Sequence, residues 1–200
     1  MSRRLLTVIV AGFLIGAIAG AFLLALTGHQ PERAVATSGK ALIGGPFALI
    51  DQNGKTVTDQ DFRGRFMLVF FGFTHCPDIC PAELQVMSQS LDALGAKAEG
   101  VVPIFVTLDP ERDTPEAVGA YVKNFGPRFV GLTGSPEAIA AAAKAYRVAY
   151  SKFQEDPASS DYSIDHSALV YLMGKDGEYL AHFPYGTPPD KMTEEIKRFL

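Results

Sequence analysis

Hydrophobic and polar positions divide this chain into three stretches. Residues 5–26 carry a single polar side chain, Thr7, and these 22 residues reach, at about 1.5 Å each, roughly the 30 Å of a bilayer's hydrocarbon core. Residues 27–45 turn polar and Gly-bearing, as a tether does. Beyond them, short apolar runs alternate with helical periodicity. Residues 47–50 and 55–58 flank Asp51-Gln52-Asn53-Gly54 and read as a hairpin, since Asn-Gly supplies the positive φ angles of a two-residue turn. Residues 66–73, FMLVFFGF, are too apolar for a half-exposed strand and suit a central one covered on both faces. Leu84, Met87, Leu91 and Leu94 then recur at helical spacing just past Pro81.

The alternation continues with a strand over 101–108, a helix over 115–125 opened by Asp113-Thr114, a strand over 129–132 and a helix over 136–146 opened by Ser135. A hairpin of 168–173 and 178–183 about Gly174-Lys175-Asp176-Gly177 follows, then a last helix from Thr187-Pro188. This order predicts an α/β domain of thioredoxin-like fold over residues 46–200, with a mixed central sheet, behind an N-terminal transmembrane helix. A domain of that size buries about two thirds of its unfolded surface and needs no disulfide staple.

Arg3 and Arg4 precede the apolar run and no Lys or Arg follows until Arg33. The positive-inside bias therefore puts residues 1–4 in the cytoplasm and the domain outside, in an oxidising space. A cleaved signal peptide is the rival, with Ala25-Leu26-Thr27 as a passable cleavage site, but its apolar core usually runs only about 7–15 residues. Gly12, Gly16 and Gly20 line one face of the predicted anchor, which permits self-association as a homodimer.

Composition adjusts this picture little. The chain is 48% hydrophobic and 20% charged, and its mean hydropathy of +0.12 reflects the apolar front. The formal charge is -4, and removing the two front arginines leaves the remainder at -6. An acidic domain without a Lys/Arg cluster is a poor partner for phosphate backbones, so nucleic acid is excluded. Phosphate-binding Gly-x-x-x-x-Gly-Lys, Gly-x-Ser-x-Gly and His-Glu-x-x-His motifs are absent.

Chemistry concentrates at Cys76-Pro77-Asp78-Ile79-Cys80, where a buried strand gives way to a helix, the edge at which open α/β sheets place ligands. One helical turn separates the two sulfurs, close enough to share an ion or each other. Orphan N–H groups at a helix start favour the thiolate. A structural disulfide is the plainer alternative, but a loop this short yields only about 2 kcal/mol before strain. Three intervening residues, rather than the usual two, weaken a pure redox role without removing it. A third ligand would favour metal, and His75, His166 and His182 are the candidates; His29 lies in the tether. His75 diverges from its neighbour Cys76, and His182 sits in an apolar strand. His166, in Ile164-Asp165-His166-Ser167, lies at a loop-to-strand junction from which a side chain reaches another loop.

Three blocks, FFGFTHCPDICPAEL, VTLDPERDTPE and YSIDHSALVYLMGKDGEYL, resemble the signatures of the SCO/SenC family of membrane-anchored copper proteins for cytochrome c oxidase assembly. The resemblance covers essentially the whole soluble domain. It implies that Cys76, Cys80 and His166 ligate copper, as Cu(I) and also as Cu(II). Two soft thiolates and one imidazole agree with a three-coordinate cuprous site, whereas structural zinc wants a fourth ligand. Asp109, Asp113 and Asp165 fall in the matched blocks and are read as caps or hydrogen-bond partners, not ligands.

The implied function is a metallochaperone that takes copper from an upstream donor and passes it to the binuclear site of cytochrome c oxidase subunit II. The alternative is a thiol-disulfide oxidoreductase that reduces the acceptor's cysteines, with Cys76 and Cys80 catalytic and His166 dispensable. A peroxidase ranks third, for want of a recognisable peroxide pocket. The residues before the apolar run lack the character of a mitochondrial targeting region, so the expected location is a bacterial inner membrane, single-pass, with the domain in the periplasm.

Overall fold

The computed structural model describes residues 42–154 and 161–200. The anchor predicted over 5–26, its glycine face and nearly all of the tether lie outside them. No helix among the described residues is long and apolar enough to cross a membrane.

Nine strands are described: β1 Ala48–Asp51, β2 Thr56–Thr58, β3 Phe66–Gly72, β4 Val101–Thr107, β5 Val130–Thr133, β6 Tyr150–Phe153, β7 Ser163–His166, β8 Leu169–Met173 and β9 Tyr179–Pro184. Four α-helices join them: α1 Ile79–Leu94, α2 Pro115–Val122, α3 Pro136–Ala145 and α4 Pro189–Lys197. Seven strands make one mixed sheet in the order β2-β1-β5-β4-β3-β8-β9, and β6 and β7 pair apart from it as a ribbon. β3, β4 and β5 are parallel, while β8 runs antiparallel to β3 and β9 to β8.

The apolar run at 66–73 becomes β3, buried at every position, with the equally buried β4 beside it. Two right-handed crossovers in the same direction, β3 to β4 and β4 to β5, put α1 and α2 on one face of the sheet. On that face Leu84, Met87 and Leu91 are buried, and Phe105 meets Tyr121 with ring centroids 5.3 Å apart. The return from β5 runs the other way and uses the opposite face, where Tyr146 lies 5.2 Å from Phe71. Thr114 and Ser135 cap α2 and α3, accepting from the N–H of Ala117 and Ala138, as expected of such residues before a Pro.

Two local expectations change. The first hairpin does not close on a two-residue turn. The Asp51 N–H donates to the Lys55 carbonyl at 2.9 Å across three intervening residues, and only Gly54 has positive φ, at +78°. The Asp51 carboxylate accepts from the N–H groups of Asn53 and Lys55, both at 2.9 Å, which stabilises the longer loop. The second change is the β6–β7 ribbon, which lacks the apolar alternation of a half-buried strand and is exposed or partly exposed at every position except Ile164.

Candidate metal centre

β3 ends at Gly72, and the chain turns through residues 73–78 into α1. This placement puts Cys80 in the second position of the helix, fully buried, and Cys76 in the turn before it, partly exposed. Both are free thiols. The Cys80 N–H donates to the Cys76 sulfur at 3.3 Å, which is the use of a helix start anticipated above. Gly72 makes room for the pair: a Cβ there would lie 2.8 Å from Cys80 Sγ and 3.1 Å from Phe105.

His166, expected at a loop-to-strand junction, closes β7, and its Cα partner is Tyr150 on β6. The ribbon brings the imidazole over the helix start, where Nε2 lies 3.6 Å from Cys80 Sγ although the residues are 86 apart in sequence. Nδ1 faces the Ser167 carbonyl at 3.3 Å. A carbonyl only accepts, so that bond assigns the ring proton to Nδ1 and leaves the Nε2 lone pair pointing at sulfur. Phe70 and Phe73 hold the ring by edge contacts at 5.9 and 6.1 Å. A cleft of about 290 Å³ opens beside Cys76 and His166, bordered by exposed Ile79 and Phe153.

The two thiols differ. Hydrogen bonding from the Cys80 side chain brings Cys76 down from about 9 to about 5, and the backbone N–H groups of Cys80 and Asp78 act in the same direction against burial. Cys80 moves the opposite way, because its proton serves Cys76 and because burial disfavours its charge. One partly exposed, acidic thiol thus sits beside one buried, protonated thiol.

The donor set suits a soft ion. With bonds of about 2.3 Å to sulfur and 2.0–2.1 Å to nitrogen, typical of a first-row metal, the 3.6 Å separation of Cys80 Sγ and His166 Nε2 subtends roughly 110° at the ion. His75 has an exposed side chain directed to Asp113, 3.7 Å away, rather than to sulfur. His182 pairs with the Tyr179 hydroxyl on β9.

Asp109 and Asp113 are fully buried and neither caps a helix; of the two roles expected above, both take that of hydrogen-bond partner. Asp113 accepts from the Thr74 N–H at 2.9 Å and from the hydroxyls of Thr74 and Thr107, both at 2.5 Å. Asp109 accepts from the Tyr162 hydroxyl at 2.6 Å and from Arg112 Nε. Donor atoms of His75, Asp109 and Asp113 lie within 4.8 Å of one another, but these bonds already occupy both carboxylates, so the group braces the cysteine turn. Asp165 is exposed. Gly72, Arg112 and Tyr162 escaped the sequence analysis. The only signal for the first was a glycine one residue before the end of an apolar run, and for Arg112 its place between Asp109 and Asp113.

An α/β domain with a Cys-x-x-x-Cys pair at a strand-to-helix edge and an imidazole delivered from outside the main sheet defines a thioredoxin-like thiol or metal protein. A family model described as SCO1/SenC matches residues 35–200, and the chain belongs to that family. It is 44% identical over 176 residues to the human mitochondrial SCO1 homolog, covering 84% of this chain and 58% of the relative. The chain spans about half the length of the human, mouse and Arabidopsis thaliana relatives. Among solved structures it resembles Arabidopsis thaliana ScoI with copper bound, at TM-score 0.73 and 43% identity over 78% of this chain and 99% of that one. Bradyrhizobium japonicum ScoI with copper bound gives TM-score 0.72 and 45% identity over 79% and 99%.

Proposed function

We propose that this chain is a copper metallochaperone that holds its cargo on Cys76, Cys80 and His166 and passes it to the binuclear copper site of cytochrome c oxidase subunit II. The observation that carries this reading is the approach of His166 Nε2 to Cys80 Sγ beside Cys76. Copper-bound relatives of the same fold support it. Two thiolates and one imidazole bind Cu(I) with an incomplete coordination sphere, and Cu(II) is accepted by the same atoms. Cys76 is partly exposed, unlike Cys80, and offers the point at which an incoming thiolate from the acceptor displaces the protein, one bond at a time. An anchor over residues 5–26 keeps donor and acceptor at one bacterial inner membrane, with the domain in the periplasm, and an upstream donor loads it there.

The asymmetry of the thiols favours a second activity on the same pair. The Cys76 thiolate attacks one sulfur of an acceptor disulfide, forming a mixed disulfide and releasing one acceptor thiolate, which takes the Cys80 proton. The Cys80 thiolate then attacks the Cys76 sulfur and releases the second acceptor sulfur as a thiolate, leaving a Cys76–Cys80 disulfide and a reduced acceptor. Oxidase maturation in cells lacking the native chain separates the two. The metallochaperone requires that His166→Ala fail as completely as Cys76→Ala or Cys80→Ala. Normal maturation with His166→Ala, while both cysteine variants fail, assigns the chain to reduction instead.

A further inference from the structure

We propose that residues 108–114 form a bracket that sets the distance between His166 and the cysteine pair, with Asp109, Arg112 and Tyr162 as positioning residues for the copper site. This rests on the reading of Cys76, Cys80 and His166 as ligands. The two halves of that site come from separate sheets. The cysteines hang from the end of β3, whereas His166 belongs to the β6–β7 ribbon, which shares no ladder with the main sheet. His166 is tied to the main sheet by the two residues leading into β8 and by the edges of Phe70 and Phe73, and the ribbon's side-chain bonds beyond these converge on one loop.

On the cysteine side, Asp113 holds Thr74, two residues before Cys76, through the Thr74 N–H and hydroxyl. The Asp113 N–H donates to the Asp109 carbonyl at 2.9 Å, closing the loop on itself. On the ribbon side, Tyr162, the residue before β7 and four before His166, donates its hydroxyl to Asp109 Oδ1 at 2.6 Å. Arg112 bonds the other Asp109 oxygen, donates from Nη1 to the Tyr162 carbonyl at 3.1 Å and stacks its guanidinium 3.7 Å from the Tyr162 ring centroid. The second strand of the ribbon is tied to the same loop: Lys152 on β6 pairs with Glu111 at 2.8 Å and lies 4.6 Å from the Tyr162 ring. Asp109 is fully buried while Tyr162 stays partly exposed, so their bond is shielded from water on the Asp109 side. One short loop grips both the turn carrying Cys76 and the strand carrying His166, and a change at its Tyr162 contact alters where the imidazole sits without touching a ligand.

The test is a double-mutant cycle on the full chain, reading Cu(I) affinity by anaerobic chelator competition and the copper-bound nitrogen count by X-ray absorption. Tyr162→Phe and Arg112→Met are measured alone and combined with His166→Ala. Each single bracket variant is expected to bind copper about 10–100-fold more weakly and to lose nitrogen occupancy, the size typical of second-layer partners. In the His166→Ala background neither should weaken binding further. Wild-type affinity in both bracket variants overturns the proposal, and so does an equal loss with and without His166, which would mark general support of the fold. If His166→Ala alone binds as wild type, the ligand reading itself has failed and the bracket with it. Tyr162→Phe keeps the ring stack and the backbone bond, so it decides the matter where Arg112→Met does not fold.

Discussion

Replacing Cys80 by Ala removes the hydrogen bond that contributes most to the acidity of Cys76. With its thiol near 5 rather than the ordinary value near 9, Cys76 carries about 100 thiolates per thiol at pH 7, where an ordinary cysteine carries about one per 100. A hydrogen bond to a charged acceptor contributes about 1.5–3 kcal/mol, or roughly 1–2 pH units. Cys76 is partly open to solvent, and the N–H groups of Cys80 and Asp78 remain, so the lower end applies and the midpoint should rise to about 6–6.5. The assay is the rate of Cys76 alkylation by iodoacetamide in the reduced, metal-free full chain between pH 4 and 9. The wild type should reach its plateau by about pH 6 and label Cys76 before Cys80, while Cys80→Ala at pH 5.5 should react roughly three- to eightfold more slowly. A wild-type midpoint at 8 or above, or prior labelling of Cys80, would refute the assignment of roles to the two thiols.

Two further substitutions probe the support of the site. Gly72→Ala places a Cβ 2.8 Å from Cys80 Sγ inside a fully buried strand, and overpacking of this kind costs about 1–3 kcal/mol, or roughly 3–10 °C in melting temperature; an unchanged melting curve would contradict it. Glu83 is 1% exposed, accepts from the Gly186 N–H, and burial holds its carboxyl above the ordinary value of 4.5. The folded state thus binds this proton more tightly, so its contribution is complete below pH 4.5 and disappears as pH rises through the elevated folded value. Glu83→Gln should remove that component and flatten the dependence of melting temperature on pH above 4.5, whereas parallel curves for variant and wild type would show that Glu83 does not titrate on unfolding.

What the sequence revealed depended on where each element's information resides. β3 was legible because a strand covered on both faces is apolar throughout, and α1 because Cys80, Leu84, Met87 and Leu91 share one buried face. The turn at 51–55 was misjudged in length, since Asp51's side chain, rather than Asn53, satisfies the loop. The ribbon was invisible because YSKF and SIDH are mostly exposed and carry no period-two pattern. That omission placed His166 at a loop-to-strand junction when it ends a strand. The cysteine pair announced itself by local spacing. The approach of His166 across 86 residues follows from sheet order and ribbon placement, which no local pattern encodes. Tyr162 was hidden for the same reason: its partners, Asp109 and Arg112, lie on another loop.

The central claim is that two sulfurs and one imidazole share a single copper ion. Anaerobic Cu(I) titration of the reduced full chain, with the ligand count read by X-ray absorption, tests it most directly. One equivalent of copper bound by two sulfurs and one nitrogen, with the nitrogen and much of the affinity lost in His166→Ala, is the predicted result. An unchanged ligand count and affinity in that variant would contradict the account.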